Sequence, residues 1–131
     1  MNELSIIGLM SGTSADGIDA AVLITDGVRV IRTASRGHFA YRQDTREAIR
    51  ACCSEPAMFL ADATARTNLD TAIAVDHAAA VEALCRQFGG RVDLIGFHGQ
   101  TVYHNARANA VHPLGRQTIQ LGDANYLAKA S

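Results

Sequence analysis

The sequence lacks the features that mark several classes of protein. Lys and Arg total 12 against 13 Asp and Glu, so the formal net charge is −1 and no basic excess would attract nucleic acid or anionic lipid. All apolar stretches fall short of the roughly 18 residues that span a bilayer, and no basic signal-peptide segment opens the chain. We therefore expect a cytoplasmic protein without nucleic-acid or membrane partners.

Cysteine is also scarce, and its spacing is typical of neither disulfides nor zinc sites. Cys52 and Cys53 are adjacent and cannot easily bridge to each other without strain, and Cys85 leaves the total odd at three. No C-x-x-C pair is present, and the histidines lack the compact spacing of metal ligands. We expect reduced thiols and no residue that ligates a structural metal.

The hydrophobic pattern predicts a single α/β domain. The chain has 131 residues, of which 48% are hydrophobic and 19% charged, as in an ordinary compact domain. An Asp26-Gly27 hairpin signal joins two of three antiparallel strands at the start, and Gly89-Gly90 ends a long Ala-rich amphipathic helix. This order favours a mixed sheet flanked by helices. The predicted strands cover residues 4–10, 18–25, 28–34, 92–97 and 118–121, and the predicted helices cover residues 46–53, about 60–88 and 124–130.

Small polar residues cluster between the first two predicted strands, in the segment GLMSGTSADGID. Glycines allow close approach of the backbone to a ligand, and the hydroxyls of Ser11, Thr13 and Ser14 add donors, a combination that suits phosphate. Asp16 and Asp19 are candidates to hold Mg²⁺. The alternative is a plain hairpin turn, because turns use the same residue types. From the residues alone, both interpretations stand.

The better-known nucleotide and hydrolase motifs do not match this segment. Gly12 and Gly17 have the separation of a Walker loop, but Ile18-Asp19 follows where Lys and Ser or Thr are needed. The dinucleotide fingerprint G-x-G-x-x-G is absent, and Ser11 lacks the G-x-S-x-G setting of a hydrolase nucleophile. Dinucleotide-binding and hydrolase classes therefore lose support.

Two further clusters follow predicted strands, where open sheets place ligands. His98 and Gln100, in the segment GFHGQTVYH, can offer hydrogen bonds to a sugar, although a structural imidazole is the commoner role for such a His. Asp123 follows the strand at 118–121, and its commoner role is that of a helix N-cap. His77 lies on the apolar stripe of the long helix, which predicts a core histidine.

Three motifs in order resemble the anhydro-N-acetylmuramic acid kinase family. They are Met10 to Ser14 with Asp16-Gly17 and Asp19, then Gly96 to Val102 with His104, then Gln120 to Asp123. The resemblance covers the whole chain, although residues 36–90 match in pattern more than in identity. Ala15, Asn105-Ala106 and Ala124 depart from the family pattern, which leaves details of the substrate loops open.

The resemblance implies the first lobe of an actin-like sugar kinase and heat-shock ATPase fold, built on a ribonuclease-H-like mixed sheet and spanning residues 1–131. The family uses ATP and Mg²⁺ to open the 1,6-anhydro ring with water and to phosphorylate O6, giving N-acetylmuramic acid 6-phosphate during cell-wall recycling. On this basis nucleotide binding is assigned to Gly12, Thr13, Ser14, Ala15, Asp16, Gly17, Ile18 and Asp19, and substrate binding to His98, Gln100 and Asp123.

The resemblance also places the general base and the adenine-binding lobe beyond Ser131. No catalytic residue is therefore assigned to the chain, which is expected to be inactive alone and to self-associate as a homo-oligomer. The alternative is a non-catalytic module that binds phosphate or a muramyl sugar. A gene that continues past Ser131 would favour the kinase.

Overall fold

A five-stranded sheet with helices packed against it organises the chain. The computed structural model describes residues 2–107 and 111–131. The strands are β1 (Leu4–Ser11), β2 (Gly17–Thr25), β3 (Val30–Ala40), β4 (Leu94–His104) and β5 (Thr118–Leu121). The helices are α1 (Gln43–Ser54), α2 (Pro56–Ala61), α3 (Ala63–Phe88) and α4 (Ala124–Ala130). The predicted α/β class, with a mixed sheet flanked by helices, is confirmed.

The sheet order is β3-β2-β1-β4-β5, with β1 at its centre. Strands β1, β2 and β3 form an antiparallel meander, β4 pairs parallel to β1, and β5 pairs antiparallel to β4. The meander turns at Asp26, whose carboxylate accepts the N–H groups of Val28 and Arg29, each at 2.9 Å. Parallel pairing of β1 with β4 needs a long crossover, which α1, α2 and α3 supply.

One face of the sheet carries the core. Alternation along β2 buries Ile18, Val22 and Ile24, while Asp19 between them points to the opposite face. Helix α3 covers the buried face with an apolar stripe that includes Leu69. Full burial of each such aliphatic side chain contributes about 1.5–3 kcal/mol. The core therefore fixes which side chains of the strands face the helices.

Helix α3 has clear start and stop signals. The Asp62 side chain accepts the N–H of Ala65 at 3.0 Å, as an N-cap does, and Gly89 ends the helix with a left-handed φ of 71°. Pro56 occupies the first turn of the short helix α2. The long helix predicted from about residue 60 to Phe88 is confirmed, but it begins at Ala63 because the Asp62 cap separates it from α2.

Two strands run further than the sequence predicted. Strand β3 continues to Ala40 instead of ending at Ala34, because its polar second half keeps pairing with β2 as far as Gly17. Strand β4 spans Leu94–His104 instead of residues 92–97, so the segment after Gly99 is strand and not loop. A register shift between Leu9 and Ser11, opposite this point, absorbs the irregularity.

The cysteines are unbridged, and the helices are those of a compact domain. Cys52, Cys53 and Cys85 are free thiols, and burial raises the pKa of Cys52 to about 11. Among residues 2–107 and 111–131, no helix combines the length and apolarity needed to cross a membrane.

Candidate functional site

The β1–β2 turn, residues 12–16, carries the polar cluster of the first motif. Ala15 donates its N–H to the Gly12 carbonyl at 3.2 Å, which closes a tight turn. The side chains of Thr13, Ser14 and Asp16 are exposed. The turn therefore presents two hydroxyls and a carboxylate at the end of the sheet.

Backbone strain accompanies this turn. Ala15 has a φ of 57°, a left-handed conformation that costs an L-residue about 1–2 kcal/mol, and its side chain is buried. Two residues further on, a Cβ at Gly17 would lie 2.5 Å from the Phe39 carbonyl oxygen. A strained alanine two residues before a position where only glycine fits shows that the surrounding sheet holds the turn in one shape.

The residues assigned to nucleotide binding fall into two groups. Ala15, Gly17 and Ile18 are buried, so none of them offers a side chain to a ligand. Asp19 is exposed on the sheet face opposite the helices, where its carboxylate accepts a hydrogen bond from His38 Nδ1 at 2.8 Å. Ligand contact through side chains is thus open to Thr13, Ser14, Asp16 and Asp19.

His98 is exposed and held by neighbours at both ring nitrogens. Its Nδ1 lies 3.1 Å from the Gly99 carbonyl oxygen and its Nε2 lies 2.9 Å from the amide nitrogen of Gln120. A carbonyl needs a donor and an amide nitrogen is a donor, so this arrangement is that of the neutral Nδ1–H tautomer. The ring edge remains accessible, and the predicted contact with a sugar stays a prediction.

Gln100 is entirely buried, with no exposed surface. Its Nε2 donates to the carbonyl oxygens of Gly12 at 2.9 Å and Thr101 at 3.1 Å, and its Oε1 accepts the hydroxyl of Tyr41 at 3.1 Å. Burial raises the pKa of Tyr41 to about 12, which keeps this hydroxyl a donor. The direct contact of Gln100 with a sugar also stays a prediction, and here its amide is engaged within the protein.

Asp123 is the N-cap of α4, as the commoner interpretation had it. Its Oδ1 accepts the N–H of Tyr126 at 3.0 Å. Asp70 of α3 holds the preceding turn, because its carboxylate accepts the Gly122 N–H at 2.9 Å and its carbonyl accepts the Asp123 N–H at 3.1 Å. The role of Asp70 was missed, since nothing local distinguishes it from other polar residues of a helix.

His77 is the core histidine that the apolar stripe predicted. It is 1% exposed, its Nδ1 lies 2.7 Å from the Ile73 carbonyl oxygen, and its ring contacts Tyr41 and Phe97 edge-on. Burial lowers its pKa. The hydrogen bond to the Ile73 carbonyl satisfies one ring nitrogen and so lowers the cost of burying the ring.

The three motifs meet at one end of the sheet. Ser11 and Gln100 are neighbours in the β1–β4 register, and the Ser11 hydroxyl donates to the Gly99 carbonyl at 3.0 Å. Gln100 in turn pairs with Leu121, immediately before the Gly122-Asp123 turn. Within the part of the chain that the structure describes, no group of three His, Cys, Asp or Glu side chains could hold a metal ion.

Comparison with known proteins identifies what these motifs belong to. The family model described as anhydro-N-acetylmuramic acid kinase matches residues 4–131. The chain belongs to the anhydro-N-acetylmuramic acid kinase family. The resemblance noted from the three motifs is therefore confirmed.

Curated relatives with the same name agree with this family. The chain is 40% identical over 134 residues to an anhydro-N-acetylmuramic acid kinase of Rhodopseudomonas palustris strain CGA009, which covers 97% of the chain and 34% of the relative. It is 41% identical over 122 residues to one from Acidiphilium cryptum, which covers 93% of the chain and 31% of the relative. The chain thus spans about a third of the length of the curated relatives it matches.

Proposed function

We propose that this chain is the first, nucleotide-binding lobe of an ATP-dependent anhydro-N-acetylmuramic acid kinase. In this proposal the whole enzyme opens the 1,6-anhydro ring with water and phosphorylates O6 to give N-acetylmuramic acid 6-phosphate. The observation that carries the proposal is the family match over residues 4–131. The shape of the β1–β2 turn is consistent with it and assigns roles to single residues.

The β1–β2 turn is the proposed contact with the phosphates of ATP. Thr13 and Ser14 are exposed, and their hydroxyls can donate hydrogen bonds to an anion such as phosphate. Phosphoryl transfer depends on positioning and on stabilising charge, so a turn held in one shape is worth more than a mobile one. The strained Ala15 is then the cost of that fixed shape.

Asp16 is the residue best placed to hold Mg²⁺. Its carboxylate is exposed beside the hydroxyls, whereas that of Asp19 is already paired with His38. Magnesium usually takes one or two carboxylates together with phosphate oxygens and water, and when bound it neutralises charge on the phosphates. One exposed aspartate next to a phosphate-binding turn fits this pattern without a cluster of protein ligands.

His98 and Asp123 are proposed to face the sugar. Both lie at the end of the sheet that carries the β1–β2 turn, His98 on β4 and Asp123 in the turn that follows β5. His98 has a fixed tautomer, and Asp123 uses one carboxylate oxygen as an N-cap, which leaves the other to accept a hydroxyl hydrogen. Neither residue is proposed as the general base.

A binding experiment on Asp16 tests the nucleotide site. We expect Asp16→Ala to weaken binding of Mg·ATP about tenfold, the effect of losing one charge-assisted contact, and to leave the melting temperature unchanged because the side chain is exposed. Calorimetry or NMR titration of the ¹⁵N-labelled chain measures the dissociation constant.

Glu3→Ala is the matched control for this experiment. It removes the same charge from an exposed residue next to the opposite end of β1, so it should leave Mg·ATP binding at the wild-type value. Equal binding by Asp16→Ala and the wild type would contradict the assignment of the turn. If the wild-type chain binds the anhydro-sugar but does not bind Mg·ATP, the result would favour a non-catalytic sugar-binding module instead.

A further inference from the structure

The Gln100 amide has no hydrogen-bonding capacity left for a ligand on its nitrogen. An amide nitrogen carries two hydrogens, and here one goes to the Gly12 carbonyl and the other to the Thr101 carbonyl. The oxygen is held by Tyr41, and the whole side chain is buried. A direct hydrogen bond to a sugar would require breaking one of these contacts and exposing the side chain.

The contact with Gly12 reaches into the β1–β2 turn from a strand 88 residues away. The Gly12 carbonyl accepts two hydrogen bonds, from Gln100 across the sheet and from Ala15 within the turn. Both donors lie on the inner side of the turn. Together they fix the plane of the peptide that joins Gly12 to Thr13.

Fixing that plane also fixes the next N–H. In a trans peptide the carbonyl and the N–H point in opposite directions, and no cis peptide occurs among the described residues. With the Gly12 oxygen held inward, the Thr13 N–H is directed outward, to the side on which the Thr13 side chain is exposed. An outward backbone N–H is the group that an anion recognises at such turns.

A second hydrogen bond joins the same two strands and supports the same positioning of the turn. The Ser11 hydroxyl donates to the Gly99 carbonyl, so a side chain of β1 holds the backbone of β4 while a side chain of β4 holds the backbone that follows β1. Tyr41, which precedes α1, orients the Gln100 amide by donating to its oxygen. The register shift of β1 against β4 lies at this point.

We infer that Gln100 is a positioning residue for nucleotide binding, which acts through the Gly12–Thr13 peptide and makes no contact with the sugar. The inference rests on the proposed function, because it gives the β1–β2 turn the role of a phosphate site. It differs from a purely structural role in one respect. Loss of the amide should alter the turn and its affinity for phosphate more than it alters the rest of the fold.

The test compares Gln100→Met with Val102→Ala in the ¹⁵N-labelled chain. Methionine has a similar length and donates no hydrogen bond, while Val102 is a buried residue of the same strand whose truncation destabilises the core without touching the turn. Amide chemical shifts and hydrogen exchange of residues 12–17 are measured without nucleotide. The dissociation constant of Mg·ATP is then measured for each variant.

We expect the Ala15 amide to exchange about tenfold faster in Gln100→Met than in Val102→Ala, as loss of one hydrogen bond would produce. The dissociation constant of Mg·ATP should rise by about the same factor. Tyr41→Phe removes only the hydroxyl that orients the amide, so it should change the same amides in the same direction and less strongly.

Turn amides that match the wild type in Gln100→Met, or that change equally in Val102→Ala, would overturn the inference. If Gln100→Met does not fold, unchanged turn amides in Tyr41→Phe overturn it as well. The nucleotide-free measurements depend only on the structure of the turn. Two results together would therefore separate the two proposals. If the wild-type chain does not bind Mg·ATP, but the turn amides of Gln100→Met differ from those of the wild type, the proposed function is refuted and the positioning contact stands.

Discussion

At the scale of single residues, His77 gives the fold a dependence on pH. Burial lowers its pKa below the ordinary value of 6.5, so the folded chain keeps the ring neutral at pH values where the unfolded chain binds a proton. Stability is therefore present above about pH 6.5 and is lost as pH falls from there through the folded-state pKa.

The prediction is a steeper acid loss of stability in the wild type than in His77→Gln. One such group contributes a slope of at most about 1.4 kcal/mol per pH unit. Urea unfolding at pH 7.5 and pH 5.5 measures the difference between the two proteins. His104→Gln, which alters an exposed histidine at the end of β4, should keep the wild-type dependence. Equal slopes for His77→Gln and the wild type would show that another group is responsible.

At the scale of the elements, β4 depends on glycine at its bulge. Gly99 has a φ of 79°, and a Cβ there would lie 2.7 Å from the Leu121 carbonyl oxygen of β5. Gly89, at the end of α3, has a similar φ of 71° with nothing within 4 Å of its Cβ position. Replacing either glycine by alanine would strain the backbone to a similar degree, but only the replacement of Gly99 would also create a steric clash.

We expect Gly99→Ala to destabilise the chain by about 3 kcal/mol or more, from left-handed strain together with overpacking against β5. Gly89→Ala should cost only about 1 kcal/mol, from the strain alone. Urea denaturation of both variants gives the comparison. A similar loss in both would mean that β5 moves aside without cost and that the bulge is not tightly packed.

The sequence predicted best those elements whose ends carry their own signals. Strands β1, β2 and β5 and helix α4 begin and end within a residue of their expected positions, because apolar runs there meet glycine or aspartate. Strands β3 and β4 ran longer than expected, since their second halves are polar and are held as strands by pairing with β2 and β5. Pairing with a distant strand produces no local hydrophobic pattern, so the length of such a strand cannot be predicted from its own sequence.

The sequence pointed to the candidate site through its motifs and gave no sign of the contacts that hold those motifs in place. Its three motifs were recognisable as short segments, and the structure brings them to one end of the sheet. Tyr41 and Asp70, which hold Gln100 and the Gly122 turn, come from distant parts of the chain. These contacts form only when the crossover helices pack on the sheet, so they cannot be predicted from the spacing of residues in the sequence.

At the scale of the whole molecule, the sheet face opposite α3 is open and carries exposed apolar side chains near the Asp19–His38 pair. Met10 is 52% exposed and Leu94 is 56% exposed on this face, opposite α3. Between them and β3 lies a pocket of about 590 Å³ whose lining includes the small residues Gly8, Ala21 and Gly37. Exposed apolar patches of this kind drive association between proteins.

We therefore expect the chain to self-associate as its concentration rises, and we expect Leu94→Lys to reduce that association. Light scattering over a range of concentrations measures the mean mass. Val28→Lys changes a residue that is 90% exposed in the β2–β3 turn, away from this face, and should associate as the wild type does. A wild-type chain that stays monomeric throughout would show that the face does not associate.

The parallel pairing of β1 with β4 also sets the order in which the molecule acquires its parts. The β1–β3 meander closes through short turns. The Ser11 hydroxyl, by contrast, can bond only after Gly99, 88 residues further along the chain, is in place. Closing so long a loop is entropically costly and makes such pairing a late step of folding. During synthesis on the ribosome, the β1–β2 turn thus emerges early but lacks the Gln100 contact until β4 has also emerged. Under the proposed function, the turn would then become able to recognise phosphate only after β4 has emerged and paired with β1.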